Sequence, residues 1–417
     1  MSTGLLSAAD RAVSGGFLWF RLARIFFLCL IVVMPWEAVT AAREIALAGG
    51  AFMLLLHLWV HGPRRFRRTV LFWPWLLYAA CAAFSLLSAV DLAYSLGELR
   101  AEVLKGALVF YTAVHFVRHE EHLRQSYAAL LVGAGVMAVS AVVFFGLEGG
   151  DLLTHQVRAG GLHNGYGGLA TYLVTVWPFV LLAPRVWPER RLRVVWGLLV
   201  ALSAVCGYIT YSRAAWVAML VETGLCLVIV SRRRLRAAVV GGVLCLAVLS
   251  ASWLVPGAHH GENWRRLWRD PAGVGGTAGD LIALWRHSLG EIARHPFTGI
   301  GLGRHSFSKA YPRFRATHQP LLWHSHNMFI ELALEMGLQG LAAILWAFVL
   351  LVWVLWPKAP PERGAVGDNF AAAAAVMVIG FSLRNLTDDF FVNDSALLLW
   401  LLAGLALAGR DWRREAD

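Results

Sequence analysis

The sequence predicts an all-helical protein that crosses a membrane about twelve times. Two compositional observations support this fold class: 58% of the 417 residues are hydrophobic, and only 15% are charged. Soluble domains contain about 45–50% apolar and about 25% charged residues. The third observation is a regular series of long apolar runs. Together these features exclude an ordinary soluble enzyme, a disulfide-rich secreted module and a disordered chain.

The apolar runs define the predicted spans. A bilayer core of roughly 30 Å requires about 20 mostly apolar residues per helix. Such runs occupy residues 17–36, 44–61, 70–90, 101–117, 125–147, 165–184, 192–211, 214–231, 235–255, 338–356, 369–385 and 390–409. We interpret the first run as a retained membrane helix and not as a cleaved signal peptide, because it is long and Arg21 and Arg24 lie late in it. The fourth run is the least apolar, since it carries Glu102 and Lys105.

Basic residues distribute unevenly between the two sides of the predicted membrane. With twelve spans, one side collects most of them, whereas each short loop on the other side holds one at most: Arg43, Arg100, Arg158 and Arg213. Because basic residues are enriched in cytoplasmic loops, the pattern predicts that both termini are cytoplasmic. The net charge of +11 is therefore mainly a topology signal and does not indicate nucleic-acid binding.

One long outer loop, residues 256–337, interrupts the series of short turns. It divides the chain into helices 1 to 9 (residues 1–255), the loop itself, and helices 10 to 12 with a short cytoplasmic tail (residues 338–417). Loops of this length are functional or disordered. Several tryptophans and a helix-like stretch from Asp280 to Arg294 predict an ordered, partly helical loop.

Arginine is in excess in this outer loop, which predicts an anionic partner. Phosphate or diphosphate is the leading candidate at a membrane surface. The alternative for any single arginine is a lipid headgroup. The loop also contains His324-Ser325-His326, but no compact set of carboxylates or thiolates accompanies it in the sequence, so we predict no metal site.

Ionisable residues inside or at the ends of spans are costly and are therefore functional candidates. Arg213 follows Tyr211 and Ser212 at the outer end of the seventh span, and the next span begins at once. This spacing predicts a guanidinium fixed at the membrane surface. For Glu222, Arg384 and Asp394 we predict structural pairing inside the bundle.

The stretch from His326 to Gly340 carries the most specific pattern. A polar His-Asn start opens an amphipathic helix, and Gly337 closes it before the next span. The pattern resembles the signature of the superfamily of O-antigen ligases, O-antigen polymerases and bacterial O-oligosaccharyltransferases. Further segments resemble that family in the same order: Arg158 to Asn164 followed by Gly165 and Ala170, then Tyr211-Ser212-Arg213, then Trp285 through Pro296 to Gly299-Ile300-Gly301-Leu302-Gly303. The resemblance covers roughly residues 155–409.

The resemblance implies a fold, a reaction and its partners, and it is closest to an O-antigen ligase. It implies a GT-C-like glycosyltransferase of the bacterial inner membrane with a periplasmic active site. The implied reaction is metal-independent, inverting transfer of O-antigen polysaccharide from undecaprenyl diphosphate to a sugar hydroxyl of lipid A-core. The expected partners are this donor, this acceptor and membrane lipids, with no cofactor and no nucleic acid.

The chemistry assigns roles to the matching residues. A departing diphosphate needs preorganised cations, and an attacking alcohol must lose a proton to a base that titrates near neutral pH. We therefore predict His326 as the general base, with His324 as the alternative, and Arg213 as the main cation. The other predicted substrate-binding residues are Tyr211, Arg158, Asn164, Arg265, Arg286 and Asn327. Leu281 stands where the family often has an arginine, so Arg286 or Arg265 is expected to supply that charge.

Two alternative functions remain open. An O-antigen polymerase or a protein O-oligosaccharyltransferase would use the same base and arginines with a different acceptor. A lipid-linked sugar flippase or secondary transporter also has about twelve spans, but such transporters have internal repeats and a binding site near the midplane. The sequence has no evident repeat and concentrates its polar residues at one surface.

Overall fold

The computed structural model describes residues 24–36, 39–61, 66–152, 157–163, 165–233, 236, 241–242, 277–317 and 323–416. Within these ranges all regular elements are helices, and there is no strand. The prediction of an all-helical polytopic membrane protein is confirmed at this level. The predicted ninth span, 235–255, and the first part of the long loop lie outside the described residues, apart from three positions.

The described part of the chain contains fifteen α-helices. In chain order they are α1 (Arg24–Val33), α2 (Thr40–His61), α3 (Phe72–Ser85), α4 (Leu92–Glu98), α5 (Lys105–Phe116), α6 (Glu120–Leu147), α7 (Tyr166–Val186), α8 (Arg193–Ile209), α9 (Arg213–Val230), α10 (Thr277–Arg294), α11 (His305–Ala310), α12 (Pro312–Thr317), α13 (Met328–Leu355), α14 (Val366–Arg384) and α15 (Asn393–Ala416). Short 3-10 turns at Leu86–Ser88 and Arg190–Leu192 adjoin α3 and α8, and a π-helical segment, Leu99–Leu104, joins α4 to α5.

Six helices in the described part of the chain are long and apolar enough to cross a membrane. They are α6, α7, α8 with its preceding turn, α9, α13 and α14. These helices coincide with the predicted spans 125–147, 165–184, 192–211, 214–231, 338–356 and 369–385. The total of about twelve spans and the GT-C-like arrangement stay predictions.

The bundle packs around α7 and α14, which are the most enclosed of the six. The two helices contact each other extensively, and α14 also contacts α9 and α13. Close approach is possible because α14 presents small side chains: residues 371–375 are all alanine, and all are buried. On the other side of the bundle, α15 packs along α5. The packing of α7 and α14 at the centre of the bundle therefore fixes the positions of the ends of both helices.

Charged residues within the bundle differ in their pairing. Asp394 forms an ion pair with Arg43 of α2, as predicted for a structural pair. Lys105 of the fourth predicted span pairs with Glu44 at 2.8 Å, which explains how that run accommodates a charge. The prediction was wrong for Glu222, whose side chain is fully buried and has no hydrogen-bond partner among the described residues.

Helix α13 consists of two halves that meet at Gly337. The backbone there is non-helical, with φ 77° and ψ 176°. A Cβ at this position would lie 2.8 Å from the carbonyl carbon of Phe297, so glycine also allows a close approach. The Leu338 N–H donates to the carbonyl oxygen of Pro296 at 2.8 Å. The predicted change from an amphipathic helix to a span at this glycine agrees with the kink.

The glycine-rich segment, residues 299–303, lies between α13 and the turn that precedes α4. Its Ile300 N–H donates to Leu334 O at 2.8 Å, and its Ile300 carbonyl accepts from Val90 N–H at 3.0 Å. Three of its residues are glycines with φ between 70° and 97°. Only glycine adopts this region without steric cost. The segment thus connects the second half of the chain to the loop after α3.

Candidate functional site

The candidate site lies where the start of α13 meets the turn after α14. Asn327 is the N-cap of α13, and its Oδ1 accepts from the N–H groups of Phe329 and Ile330 at 3.0 and 3.1 Å. Its Nδ2 donates to the carbonyl oxygen of Leu386 at 2.8 Å. Asn327 therefore fastens this turn, and its geometry gives no support to the predicted contact with substrate.

His326 has a strained backbone and a carboxylate partner. Its φ is 49°, in the left-handed region, which costs a non-glycine residue on the order of 1 kcal/mol. Its Nδ1 lies 3.3 Å from Oδ1 of Asp388. About a quarter of the side chain is exposed, at 24%, so the ring is held by the protein and still reaches solvent. A strained residue with a fixed ring is typical of a functional position.

His324, the alternative base, is much more enclosed. It is 2% exposed, and its ring centroid lies 3.9 Å from that of His326. Its Nδ1 accepts from the backbone N–H of His326 at 3.2 Å. Burial, followed by the positive charge of nearby His326, holds the pKa of His324 well below its ordinary value. These features favour His326 over His324 as the group that meets an acceptor.

Asp388 links the histidine to an arginine. Its Oδ2 lies 3.5 Å from Nη2 of Arg384, the last residue of α14. Burial alone would raise the pKa of Asp388, but the hydrogen bond with His326 and the charge of Arg384 outweigh it and hold this pKa well below its ordinary value. Asp388 is therefore an ionised partner for the imidazole. Arg384 does pair, as predicted, but its pair belongs to the candidate site.

Arg158 stands beside this pair and holds the chain at Tyr211. Its guanidinium lies 3.4 Å from the ring centroid of Tyr166, and its Nε and Nη2 donate to the carbonyl oxygens of Thr210 and Tyr211 at 3.0 and 2.8 Å. Burial, and the charge of Arg213, lower the pKa of Arg158. Two of its donor groups are thus engaged within the protein, and Arg158 fixes the turn that leads to Arg213.

Arg213 is the first residue of α9 and is exposed. The turn before it is constrained, because Tyr211 has a φ of 49° and its hydroxyl donates to Asp151 O at 3.1 Å. The charge of Arg213 acts on Arg158, and the charge of Arg158 acts on Arg384. Arg213, Arg158 and Arg384 therefore form a series in which each charge acts on the next. The series ends at the pair of Asp388 and His326.

Other predicted site residues lie elsewhere. Arg286 is exposed on α10, next to Trp285, whose indole N–H donates to Ser325 O at 2.9 Å. Leu281 packs in a small apolar cluster with Trp285. Asn164 and Arg265 lie outside the described residues, so their predicted roles stay predictions.

The sequence reasoning missed a buried to half-buried acidic cluster. Its carboxylates come from three separate parts of the chain and influence one another electrostatically, and the members are Glu98, Glu102, Glu331, Glu335 and Asp389. Arg304 is the basic residue among them, and its Nη1 donates to the carbonyl oxygen of Asp389 at 3.0 Å. Burial, partly offset by the charge of Arg304, raises the pKa of Asp389 to about 6.

Three residues of the site also have the donor set of a metal ligand. Donor atoms of His324, His326 and Asp388 all lie within 4.8 Å of one another. The sequence-based statement that no compact carboxylate accompanies the histidines was therefore wrong, because Asp388 is distant in sequence. Two of these donors already have partners, since His324 Nδ1 accepts a backbone N–H and Asp388 pairs with Arg384. The surrounding arginines favour an anion over a cation.

The fold and the candidate site define the class of protein. It is an all-helical membrane protein with a cluster of histidine, aspartate and arginine where two helix ends meet. Residues 198–345 match the sequence model of the family described as O-antigen ligase. No curated protein matches the chain. The matched segment includes Arg213 and His326, whereas Arg158, Arg384 and Asp388 lie outside it. This match supports a general role as a glycosyltransferase-like enzyme.

Proposed function

We propose that the protein is an O-antigen ligase of the bacterial inner membrane. It transfers O-antigen polysaccharide from undecaprenyl diphosphate to a sugar hydroxyl of lipid A-core at the periplasmic leaflet. The observation that carries this proposal is the contact between His326 and Asp388 at the end of an arginine series. A base with an ionised partner beside clustered guanidiniums suits an alcohol acceptor and a diphosphate leaving group.

In the proposed reaction the acceptor oxygen attacks the anomeric carbon of the donor. His326 takes the hydroxyl proton as the new C–O bond forms, and Asp388 stabilises the imidazolium that results. The bond from the anomeric carbon to the diphosphate oxygen breaks, and its electron pair stays on the lipid diphosphate. Arg213, Arg384 and the remaining donor group of Arg158 stabilise that negative charge. Direct displacement inverts the anomeric configuration.

The decisive experiment is transfer in vitro by the purified full-length protein. The assay contains a defined undecaprenyl-diphosphate-linked glycan, lipid A-core and a chelator, so that it tests the reaction class and metal independence together. His326→Ala is expected to abolish transfer while the protein still inserts and folds. The matched control is His295→Ala, because His295 is exposed at the end of α10. Full transfer by His326→Ala would show that the base is another residue.

A deletion strain separates this proposal from the alternatives. Loss of a ligase leaves core-only lipopolysaccharide and polymer on the lipid carrier. Loss of a polymerase leaves cores that bear one repeat unit, and loss of a transporter traps the lipid-linked unit inside the cell. Either of the last two outcomes would contradict the ligase proposal.

A further inference from the structure

The peptide groups on both sides of Ser325 are held by two side chains from different helices. The indole N–H of Trp285 donates to Ser325 O at 2.9 Å, and Oε2 of Glu331 accepts from Ser325 N–H at 2.6 Å. Ser325 is fully buried, and its hydroxyl donates to Asn327 O at 3.0 Å. We refer to Trp285, Ser325 and Glu331 as the Ser325 clamp.

The clamp acts on the residue that precedes His326 in the chain. His326 adopts a left-handed backbone, which the surrounding structure must impose on a residue other than glycine. On its C-terminal side, Asn327 is fixed as the helix cap. On its N-terminal side, the clamp holds the carbonyl oxygen and the N–H of Ser325, and the His326 N–H donates to His324 Nδ1 at 3.2 Å. The direction of the imidazole toward Asp388 therefore depends on both supports.

Burial of the Glu331 side chain costs more stability than a purely structural role requires. It is 2% exposed, and its Oε1 has no hydrogen-bond partner among the described residues. It also belongs to the acidic cluster. A buried carboxylate costs stability unless it is well paired. The Glu331 carboxylate accepts the short hydrogen bond from the Ser325 N–H at 2.6 Å.

We propose that Trp285 and Glu331 are positioning residues for glycosyl transfer, which hold Ser325 so that His326 keeps its left-handed conformation and faces Asp388. This inference rests on the proposed function. Neither residue touches the reacting atoms. Both act through the Ser325 peptide, one from α10 of the long loop and one from the first half of α13.

The test compares full-length variants in the transfer assay. Trp285→Phe removes the indole N–H and keeps an aromatic ring in the apolar cluster. We expect kcat to fall at least about tenfold while KM for the lipid-linked donor changes less than about twofold, because small displacements of a reacting group are costly. The matched control is Trp353→Phe, since Trp353 is 81% exposed on the membrane half of α13.

A pair of substitutions at Glu331 adds a rescue criterion. Glu331→Leu removes the acceptor for Ser325 N–H, whereas Glu331→Gln retains a carbonyl oxygen at the same place. We expect the leucine variant to lose at least about 100-fold in kcat and the glutamine variant to recover most of that loss. Equal activities of the two variants would contradict the clamp. Glu362→Gln, at an exposed position, is the control.

A second measurement does not depend on transfer activity. Diethyl pyrocarbonate labels imidazoles, and mass spectrometry resolves His326 from exposed His295 in the same sample. In Trp285→Phe the labelling rate of His326 relative to His295 should rise at least about threefold, because the released ring becomes more exposed. An unchanged or lower ratio would overturn the clamp. Absence of transfer by the unmodified protein would refute the proposed function and leave the labelling test intact.

Discussion

His326 and Asp388 face each other across 62 residues of sequence, with 3.3 Å between Nδ1 and Oδ1. The contact forms because the start of α13 is bonded directly to the turn after α14: Met328 N–H donates to the carbonyl oxygens of Asn385 and Asp388, each at 3.1 Å. Arg384 is the last residue of α14, directly before this turn. A base, its acidic partner and a cation are thus fixed by one docking of two helix ends.

The first prediction concerns Asp388. Asp388→Asn should reduce kcat at least about 100-fold, because the neutral amide no longer stabilises an imidazolium and permits the wrong tautomer of His326. Transfer assays over a range of pH would measure the loss. Asp151→Asn is the control, because Asp151 is exposed in the loop after α6. Near-normal turnover of Asp388→Asn would exclude Asp388 from the reaction.

The second prediction separates the arginines. Arg213→Lys and Arg384→Lys should each reduce kcat/KM for the lipid-linked donor by about tenfold or more, because an ammonium cannot reproduce a bidentate guanidinium fork. Arg363→Lys should leave the kinetics unchanged, since Arg363 is exposed in the loop before α14. Competition by inorganic diphosphate provides an independent measure of anion binding. If both lysine variants bind diphosphate normally, the arginine series is not the diphosphate site.

The third prediction follows from the pKa of Asp389, which burial raises to about 6 from its ordinary 3.8. Below pH 6 the folded protein retains a proton that the unfolded chain holds only below 3.8. The contribution of Asp389 to the stability of the fold is therefore fully present below pH 3.8. It is lost as the pH rises through about 6. At pH 7.5 the ionised group costs up to about 3 kcal/mol. Asp389→Asn should raise the melting temperature at pH 7.5 more than at pH 5.

Thermal unfolding of the detergent-solubilised protein at both pH values measures this difference. Glu362→Gln serves as the exposed control, and its effect should be the same at the two pH values. An Asp389→Asn effect that does not depend on pH would mean that the carboxyl titrates alike in the folded and unfolded chain.

The fourth prediction concerns the ion pair between Arg43 and Asp394, which joins α2 to α15. Both side chains are largely buried, with 10% and 11% of their surface exposed. Arg43→Ala or Asp394→Ala should each destabilise the protein by about 3–5 kcal/mol, because each substitution removes the ion-pair partner of a largely buried charge. The double variant should be less destabilised than the sum of the two. A double-mutant cycle of unfolding free energies tests this, and strict additivity would show that the pair does not interact.

The fifth prediction concerns the glycine-rich segment. A Cβ at Gly299 would lie 2.3 Å from the carbonyl oxygen of Glu335, and φ there is 70°. Gly299→Ala should therefore lower the melting temperature and displace the first half of α13. Gly290→Ala in α10 is the control, because a Cβ there meets nothing within 4 Å and alanine favours a helix. Equal melting temperatures for the two variants would contradict the described packing.

Much of the fold could be predicted because long apolar runs identify membrane helices in a sequence. The helix caps and the break at Gly337 follow from local signals. His326 and Arg213 were predictable from short motifs that carry their own physical meaning. In contrast, the partner of the base could not be predicted. Asp388 is one of two adjacent aspartates in a short loop, and only the docking of two helix ends decides which one faces the imidazole.

The acidic cluster was missed for the same reason. Glu102 and Glu335 each look tolerable at a helix end when viewed alone in the sequence. Their mutual proximity depends on how α13 packs against α3, which also contacts the π-helical segment, and no local pattern reveals this packing. Glu222 shows the opposite error, because a buried charge suggested a partner that the described residues do not provide.

Residues 88–95 donate hydrogen bonds to the glycine-rich segment, which lies inside the matched residues 198–345. Ser88 Oγ donates to Thr298 O at 2.7 Å, and Ser95 Oγ donates to Leu302 O at 3.1 Å. These donors belong to a part of the chain that the match to residues 198–345 does not reach. A fragment cut to the matched boundaries would lose both donors and leave the Thr298 carbonyl oxygen without its Ser88 partner. Residues 198–345 are therefore not an autonomous module. Transfer of this segment to another scaffold would also require residues 88–95, which hold its glycine-rich segment.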